Sequence, residues 1–230
     1  MTKQKKQMKA IKLILLAAFI LLLIFLTIKL FPLFKDLGSE AGRIEFKNKI
    51  DEMGILGPFM IIGLIFIQLL VAFLPGEPLE ILAGMCYGTF GGMLLIFVGV
   101  FLSSLIVFFS VKKFGKDFIV TFFGEEGFKK IENNKLFKNP KKVELILFIL
   151  FFIPGTPKDL FTYIGGMIPI KPLKFLLIST FARFPSIITS TFVGANITNG
   201  NLHLTIFSFV ITIIISFIGL MIFNKIQKDN

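Results

Sequence analysis

Two copies of a short motif place acidic side chains directly after a proline–glycine break in strongly apolar sequence. The first copy reads Pro75-Gly76-Glu77-Pro78-Leu79-Glu80, and the second reads Pro154-Gly155-Thr156-Pro157-Lys158-Asp159. Backbone breaks and charges at membrane depth are tolerated only where protein or a water-filled cavity covers them. A repeated pair of such breaks predicts a transport site at the interface between two structural repeats.

Five charged side chains near these breaks are the candidates for binding a substrate or an ion. They are Glu77, Glu80, Lys158, Asp159 and Arg183. A carboxylate at membrane depth can carry a proton or a cation, and the N-termini of two half-helices can hold an anionic lipid headgroup. The re-entrant breaks themselves are assigned to Pro75, Gly76, Pro78, Pro154, Gly155 and Pro157.

A purely structural interpretation explains some of the same residues. Glu77 and Thr156 fit the N-cap of the helix that follows, with proline at the first helical position and the acids Glu80 and Asp159 at the third. Thr156-x-x-Asp159 is close to a capping box, in which the acid satisfies backbone N–H groups. Glu77 fits less well, because Ser, Thr, Asn and Asp are the usual caps.

Arg183 falls near the middle of an apolar segment, residues 173–193, and a proline that should interrupt the helix follows it. An arginine at that depth costs about 2.5–3.5 kcal/mol on insertion scales. Only two of the 25 basic residues are arginine, so this one indicates a need for guanidinium geometry. Two explanations stay open: an internal ion pair with Glu77, Glu80 or Asp159, or recognition of an anionic substrate.

The composition is that of a membrane protein and excludes several other classes. The 230 residues are 55% hydrophobic, with a mean hydropathy of +0.86 and a net charge of +11. We attribute this positive charge to cytoplasmic loops that face anionic lipid, and we expect no nucleic-acid binding. One cysteine and one histidine provide neither an intrachain disulfide nor a metal site of the usual ligands. No nucleotide-binding loop or cofactor signature occurs, so no cofactor is expected.

The predicted fold is an all-α polytopic membrane protein built as an inverted repeat. Each repeat contains a re-entrant helical hairpin followed by a transmembrane helix, and further transmembrane helices flank the pair. We divide the chain into an N-terminal helix with an amphipathic segment (1–54), a core with both hairpins (55–195), and a C-terminal helix with its tail (196–230). Spanning helices are expected at residues 13–28, 91–111, 173–193 and 204–223.

The apolar run 143–153 is the strongest argument for a hairpin. As a helix its 11 residues would rise about 16 Å, roughly half of a bilayer core. The matching run 55–74 is long enough to span, so whether it crosses fully or forms half of a hairpin stays open. Gly84, Gly165 and Gly166 are expected to end the short returning helices.

The distribution of lysine predicts the orientation in the membrane. The N-terminus, the loop 112–142 and the C-terminal tail are basic, whereas the segment 194–203 has no lysine or arginine. The positive-inside rule therefore places both termini and the 112–142 loop in the cytoplasm. The composition suggests a bacterial protein, which would lie in the inner membrane.

The order of these motifs resembles the SNARE-associated Golgi protein family, also called the VTT-domain family, with DedA as a bacterial branch. The resemblance covers about residues 55–195 and rests on the two proline–glycine motifs, Tyr163-Ile164-Gly165-Gly166 and Arg183-Phe184-Pro185. It implies lipid scrambling or flipping and a role in membrane homeostasis, with Glu77 at the family's acidic position. The DedA branch carries arginines where this chain has Phe151 and Pro157. This departure weighs against flipping of undecaprenyl phosphate and favours the sister branch related to yeast Golgi and vertebrate membrane proteins.

These observations together predict a transporter, scramblase or flippase that moves a lipid or a small anionic solute. Membrane lipids are the expected partners, and protons or another ion are candidates for coupling. One alternative is a membrane-homeostasis or assembly factor that transports nothing. Another is an intramembrane hydrolase that uses Glu77, Glu80 or Asp159, which is disfavoured because the acids stand where caps are expected; we therefore expect no enzymatic activity. The sequence gives no indication of the oligomeric state.

Overall fold

The fold is all-helical in the part of the chain that the computed structural model describes. These residues are 39–71, 75–114, 140–197 and 202–228, with isolated positions between 21 and 36, residue 120 and residues 124–126. The α-helices are α1 (Glu40–Glu52), α2 (Gly57–Val71), α3 (Glu77–Phe114), α4 (Pro140–Phe152), α5 (Lys158–Ile164), α6 (Pro172–Phe181), α7 (Phe184–Ile197) and α8 (Leu202–Lys228). Short 3₁₀ segments lie at Gly54–Leu56 and Gly165–Met167.

Three helical segments among the described residues are long and apolar enough to cross a membrane. They are Glu77–Lys113, Pro172–Ile197 and Ile206–Phe223. The first two contain the predicted spanning helices 91–111 and 173–193, and the third lies within the predicted helix 204–223, so those three predictions are confirmed by length and composition. The predicted first helix, residues 13–28, and most of the lysine-rich loop 112–142 lie outside the described residues.

The helix α4, which precedes the second motif, has a short apolar part, Val143–Phe152. It rises about 15 Å, against a hydrocarbon core of about 30 Å. The helix α2, which precedes the first motif, is described as far as Val71, and a bend of 116° separates α1 from it. The length of α4 agrees with the hairpin interpretation of the second run, whereas the path of the run 55–74 and the inverted orientation of the two repeats stay predictions.

Gly88 divides α3 into a short arm, residues 77–87, and a long arm, residues 89–114. Its φ of 70° and ψ of 177° lie in a region that only glycine occupies readily. A Cβ atom on Gly92 would lie 2.7 Å from the backbone of Ala83, so the two arms touch across the break. The short returning helix therefore ends at Gly88, and the prediction that Gly84 ends it is wrong.

Gly84 has a packing role instead, since it allows α3 and α7 to approach closely. A Cβ atom on Gly84 would lie 2.1 Å from the carbonyl oxygen of Thr191, and one on Gly194 would lie 1.9 Å from that of Ile81. Any side chain at either glycine would overlap the facing backbone. This contact between the two helices is the most extensive one in the described part of the chain.

Gly165 and Gly166 end the second returning helix as predicted, and both also pack tightly. Gly165 is the C-cap of α5 and lies against the ring of Phe175. Gly166 faces the backbone of Phe108 in the long arm of α3. The segment after α5 is thus held against the long arm of α3 by a close backbone contact.

Candidate functional site

The first motif forms the start of α3. The carbonyl of Gly76 accepts hydrogen bonds from the N–H groups of Leu79 and Glu80, at 3.0 and 3.1 Å. Gly76 is therefore the N-cap, and Glu77 is the first helical residue, not the cap that the sequence predicted. Pro78 lies within the first turn of the helix, where a missing N–H costs nothing.

The second motif also departs from the predicted capping box. The N-cap of α5 is Pro157, which has no side chain that could cap. The hydroxyl of Thr156 points back and donates to the carbonyls of Leu150 and Ile153, at 2.6 and 3.0 Å. Thr156 thus satisfies the end of α4 and leaves the carboxylate of Asp159 free for other partners, so the capping-box prediction is wrong.

A cavity of about 350 Å³ brings the two motifs together. The residues that line it include all five predicted binding residues, Glu77, Glu80, Lys158, Asp159 and Arg183. The neutral polar residues Gln68, Thr156 and Ser186 also line it, together with the break residues Pro75, Gly76 and Pro157. Apolar side chains from α2 and from the long arm of α3 complete the wall. The two motifs are therefore one site, although 79 residues separate them.

Arg183 lies in the break between α6 and α7, and its guanidinium is held from several sides. Its Nη1 atom donates to Oδ1 of Asp159 at 2.7 Å, and its Nη2 atom donates to the hydroxyl oxygen of Thr162 at 2.9 Å. Its Nε atom donates to the carbonyl of Ser179 at 2.9 Å. The ring of Phe151 lies 5.1 Å from the guanidinium carbon, at cation–π distance. Arg183 forms the internal ion pair that was one of its two predicted explanations.

Asp159 is saturated by side chains rather than by the backbone. Its second oxygen, Oδ2, accepts a hydrogen bond of 2.8 Å from the amide of Gln68 in α2. Sequence reasoning missed Gln68 as a site residue, although a signal existed, because it is the one strongly polar residue in the apolar run 55–74. It also missed Thr162, which nothing in the sequence distinguishes from a packing residue, and Phe151, which was noted only as a position where the DedA branch carries an arginine.

Tyr163 adds a second contact between α5 and α2. Its hydroxyl donates to the carbonyls of Leu69 and Leu70 in the last described turn of α2. Together with the bond from Gln68 to Asp159, this contact fixes α5 against α2.

The remaining three charges of the cavity are not tied into this network. Glu77 is exposed, whereas Glu80 and Lys158 are half-buried. The Oε2 atom of Glu80 is inaccessible to solvent and has no hydrogen-bond partner in the described part of the chain. Lys158 interacts electrostatically with Glu80, Glu77 and Asp159. The site thus combines a fixed ion pair with an unpaired cluster of two acids and one base.

Helices broken around a charged cavity, next to segments that can span a bilayer, define a multi-pass α-helical membrane protein. The chain belongs to the VTT-domain family, because the VTT domain matches residues 74–196, more than half of its length. This confirms the predicted relationship to the SNARE-associated Golgi and DedA-like proteins. No curated protein and no solved structure matches the chain. The matched segment contains both motifs and Arg183, so the cavity is almost entirely a feature of this domain.

Proposed function

We propose that this protein moves a lipid headgroup or a small anionic solute across the bilayer by way of the cavity between the two motifs. The observation that carries the proposal is that one cavity collects five charged side chains from both helix breaks and from Arg183. A charge at membrane depth is costly, and a cluster of them is expected where a polar substrate or an ion must pass. Membership of the VTT-domain family supports the same function.

The dimensions of the cavity agree with a polar group rather than with a whole lipid. A volume of about 350 Å³ lies near the lower end of the range for small-molecule sites. A lipid would therefore place its headgroup in the cavity and leave its acyl chains in the membrane. On this proposal the protein lies in the inner membrane with both termini in the cytoplasm.

A structural role without transport is the second candidate, and a specific observation favours it. Arg183, Asp159, Gln68 and Thr162 are linked by hydrogen bonds and join three parts of the chain: α2, α5 and the break between α6 and α7. Such a network can serve to hold broken helices together in lipid, which would make the protein a membrane-homeostasis or assembly factor. The ion pair alone does not distinguish the two functions.

Reconstitution into liposomes distinguishes them. The vesicles carry a trace of phospholipid labelled with a fluorophore that a membrane-impermeant reductant can bleach. A scramblase brings inner-leaflet label to the outside, so the reductant bleaches both leaflets, whereas protein-free vesicles lose only the outer-leaflet signal. A flippase or transporter that needs an ion gradient is tested in the same vesicles with a proton gradient.

Chain-specific controls make the result interpretable. Glu80→Gln changes the unpaired acid of the cavity, and Glu144→Gln changes an acid that pairs with Lys174 away from it. Transport that is lost in the first variant and kept in the second supports the cavity as the route. Bleaching of the outer leaflet alone for the wild-type protein, with and without a gradient, would favour the structural role.

A further inference from the structure

Glu80 is the acidic side chain of the cavity whose carboxylate is not fully hydrogen-bonded within the described residues. Its Oε2 atom is buried without a hydrogen-bond donor in the described residues. Of the groups around its carboxyl, Ser190 of α7 is a hydrogen-bond partner and Lys158 of α5 acts on it by charge. A buried carboxylate oxygen without a donor is costly, so the position calls for a proton, a cation or a closer contact with Lys158.

Lys158 is the cation that remains available to a ligand. Its side chain lines the cavity, and its ammonium makes no hydrogen bond or ion pair within 4.0 Å to the described residues. The guanidinium of Arg183, by contrast, already binds Asp159, Thr162 and Ser179. An ammonium on a flexible stem can change partners at little cost, which a guanidinium held from several sides cannot do.

The charge balance of the cavity opposes an anion unless one acid is neutralised. Three acids and two bases line it, which gives a formal charge of −1 when all are ionised. Arg183 and Asp159 cancel, so Glu77, Glu80 and Lys158 determine the charge that a ligand meets. The other polar side chains near these charges are neutral. They are Gln68 of α2 and Ser186 of α7, which line the cavity, and Ser190 of α7, which is hydrogen-bonded to Glu80. An entering anion therefore gains most if Glu80 takes up a proton as Lys158 leaves it.

We propose that Lys158 and Glu80 form an exchange pair that couples the binding of one phosphate-type oxyanion to the uptake of one proton. In the empty cavity the ammonium of Lys158 acts on the carboxylates of Glu80, Glu77 and Asp159 by charge, without a direct contact among the described residues. The oxyanion takes this ammonium as its partner, and a proton from water adds to the carboxylate of Glu80. No other bond forms or breaks. The inference rests on the proposed function and specifies its ligand class and its coupling.

Calorimetry on the full-length protein in detergent tests the pair directly. The probes are dihexanoyl phosphatidylglycerol, a short-chain phosphodiester lipid, and sulfate, a free tetrahedral oxyanion; both stay fully ionised near neutral pH. Titrations in two buffers with different ionisation enthalpies give the number of protons taken up for each anion bound. We expect about one proton for the wild type, and an affinity that falls about tenfold for each unit of rising pH.

Variants of Glu80 and Lys158 test proton uptake and anion binding separately. Glu80→Gln imitates the protonated acid, so it should bind the anion at least as tightly as the wild type, without proton uptake and without the dependence on pH. Lys158→Met should lose at least about tenfold in affinity, the equivalent of one charge-assisted hydrogen bond. Glu144→Gln and Lys174→Met are the matched controls, since they alter a carboxylate–ammonium pair outside the cavity. Both should retain the wild-type affinity and proton count.

Each outcome decides the proposal. Binding without proton uptake in the wild type, full proton uptake in Glu80→Gln, or absence of binding to either probe would overturn it. Binding of the short-chain lipid alone supports the exchange pair with a headgroup as ligand, and binding of sulfate with the same proton count supports it for free anions. If Lys158→Met does not fold, the proton count of Glu80→Gln still decides. Transport in liposomes together with a proton count of zero would leave the proposed function standing and remove the exchange pair alone.

Discussion

The ion pair between Arg183 and Asp159 gives the most quantitative prediction about stability. The side chains are 6% and 19% exposed, and their closest nitrogen–oxygen distance is 2.7 Å. Arg183→Ala would leave the Asp159 carboxylate with the Gln68 amide as its remaining partner, and would leave Thr162 and the Ser179 carbonyl without their donor. Removal of one partner from a buried pair costs about 3–5 kcal/mol, so we expect a loss of unfolding free energy of about that size.

Two further variants separate the charge of Arg183 from its geometry. Arg183→Lys keeps the charge but cannot reach three acceptors at once, so it should lose about 1–3 kcal/mol. Asp159→Ala combined with Arg183→Ala should be less destabilised than the sum of the single variants, by at least about 2 kcal/mol, because neither charge is then left unpaired.

The chain contains its own control for this experiment. Lys174 and Glu144 form a salt bridge of 2.8 Å between α6 and α4, but their side chains are 53% and 29% exposed. Lys174→Ala should therefore cost less than about 1 kcal/mol. The unfolding free energies are measured for all variants in the same detergent mixture. Equal losses for Arg183→Ala and Lys174→Ala would refute the reasoning, since burial would then have no effect on the value of the pair.

Three further predictions concern the backbone and the orientation in the membrane. Gly194→Ala should prevent folding, because its methyl group would lie 1.9 Å from a backbone oxygen of α3. As a control, Gly63→Ala should stabilise α2 by about 0.5–1 kcal/mol, because nothing lies within 4 Å of the added methyl group. Gly88→Ala should lower the free energy of unfolding by about 1–3 kcal/mol, because φ there is 70° and ψ is 177°. The yield of folded protein and the thermal midpoint in detergent check all three glycine variants. Lys130→Cys on a Cys86→Ser background should resist an impermeant thiol reagent added to intact cells, because the lysine-rich loop is expected in the cytoplasm; labelling from outside would contradict the predicted inverted repeat.

The helical segments and the convergence of the charges could be predicted from the sequence because each has a local cause. Paired proline and glycine residues interrupt helices, and an apolar run of a given length has a fixed rise. The charges converge because a charge in lipid must be covered by protein or water, which leaves few places for the five side chains. Residue type and position along the chain were sufficient for these conclusions.

The partners within the site could not be predicted, because they depend on packing between distant segments. Gln68 and Asp159 are 91 residues apart, and no periodicity connects them. The capping pattern at Thr156 was misleading, because the hydroxyl can serve either the helix that follows or the one that precedes it. The nearer unsatisfied carbonyls belong to α4, at Leu150 and Ile153. The role of Gly84, which lies inside a continuous helix and faces the backbone of α7, likewise depends on packing between distant segments.

Two polar side chains of the cavity, Thr156 and Arg183, satisfy backbone carbonyls at the helix breaks. Thr156 serves the end of α4, and Arg183 serves the end of α6 through the Ser179 carbonyl. In an apolar surrounding each unsatisfied group would cost several kcal/mol. Substitution of these residues is therefore expected to lower the amount of folded protein whether or not the protein transports anything.

Some residues of the cavity stabilise the broken helices and also line the candidate transport site. Only variants of residues without the first role can therefore identify the function. A loss of activity in Arg183→Ala or Thr156→Val would follow from an unpaired backbone group or charge, and would not by itself indicate a transport site. The side chains of Glu80 and Lys158 make no hydrogen bond to a backbone group in the described part of the chain, so an effect of Glu80→Gln or Lys158→Met on binding reports on the cavity itself. The two side chains that contribute least to holding the broken helices are for that reason the ones whose substitution separates a transporter from a structural protein.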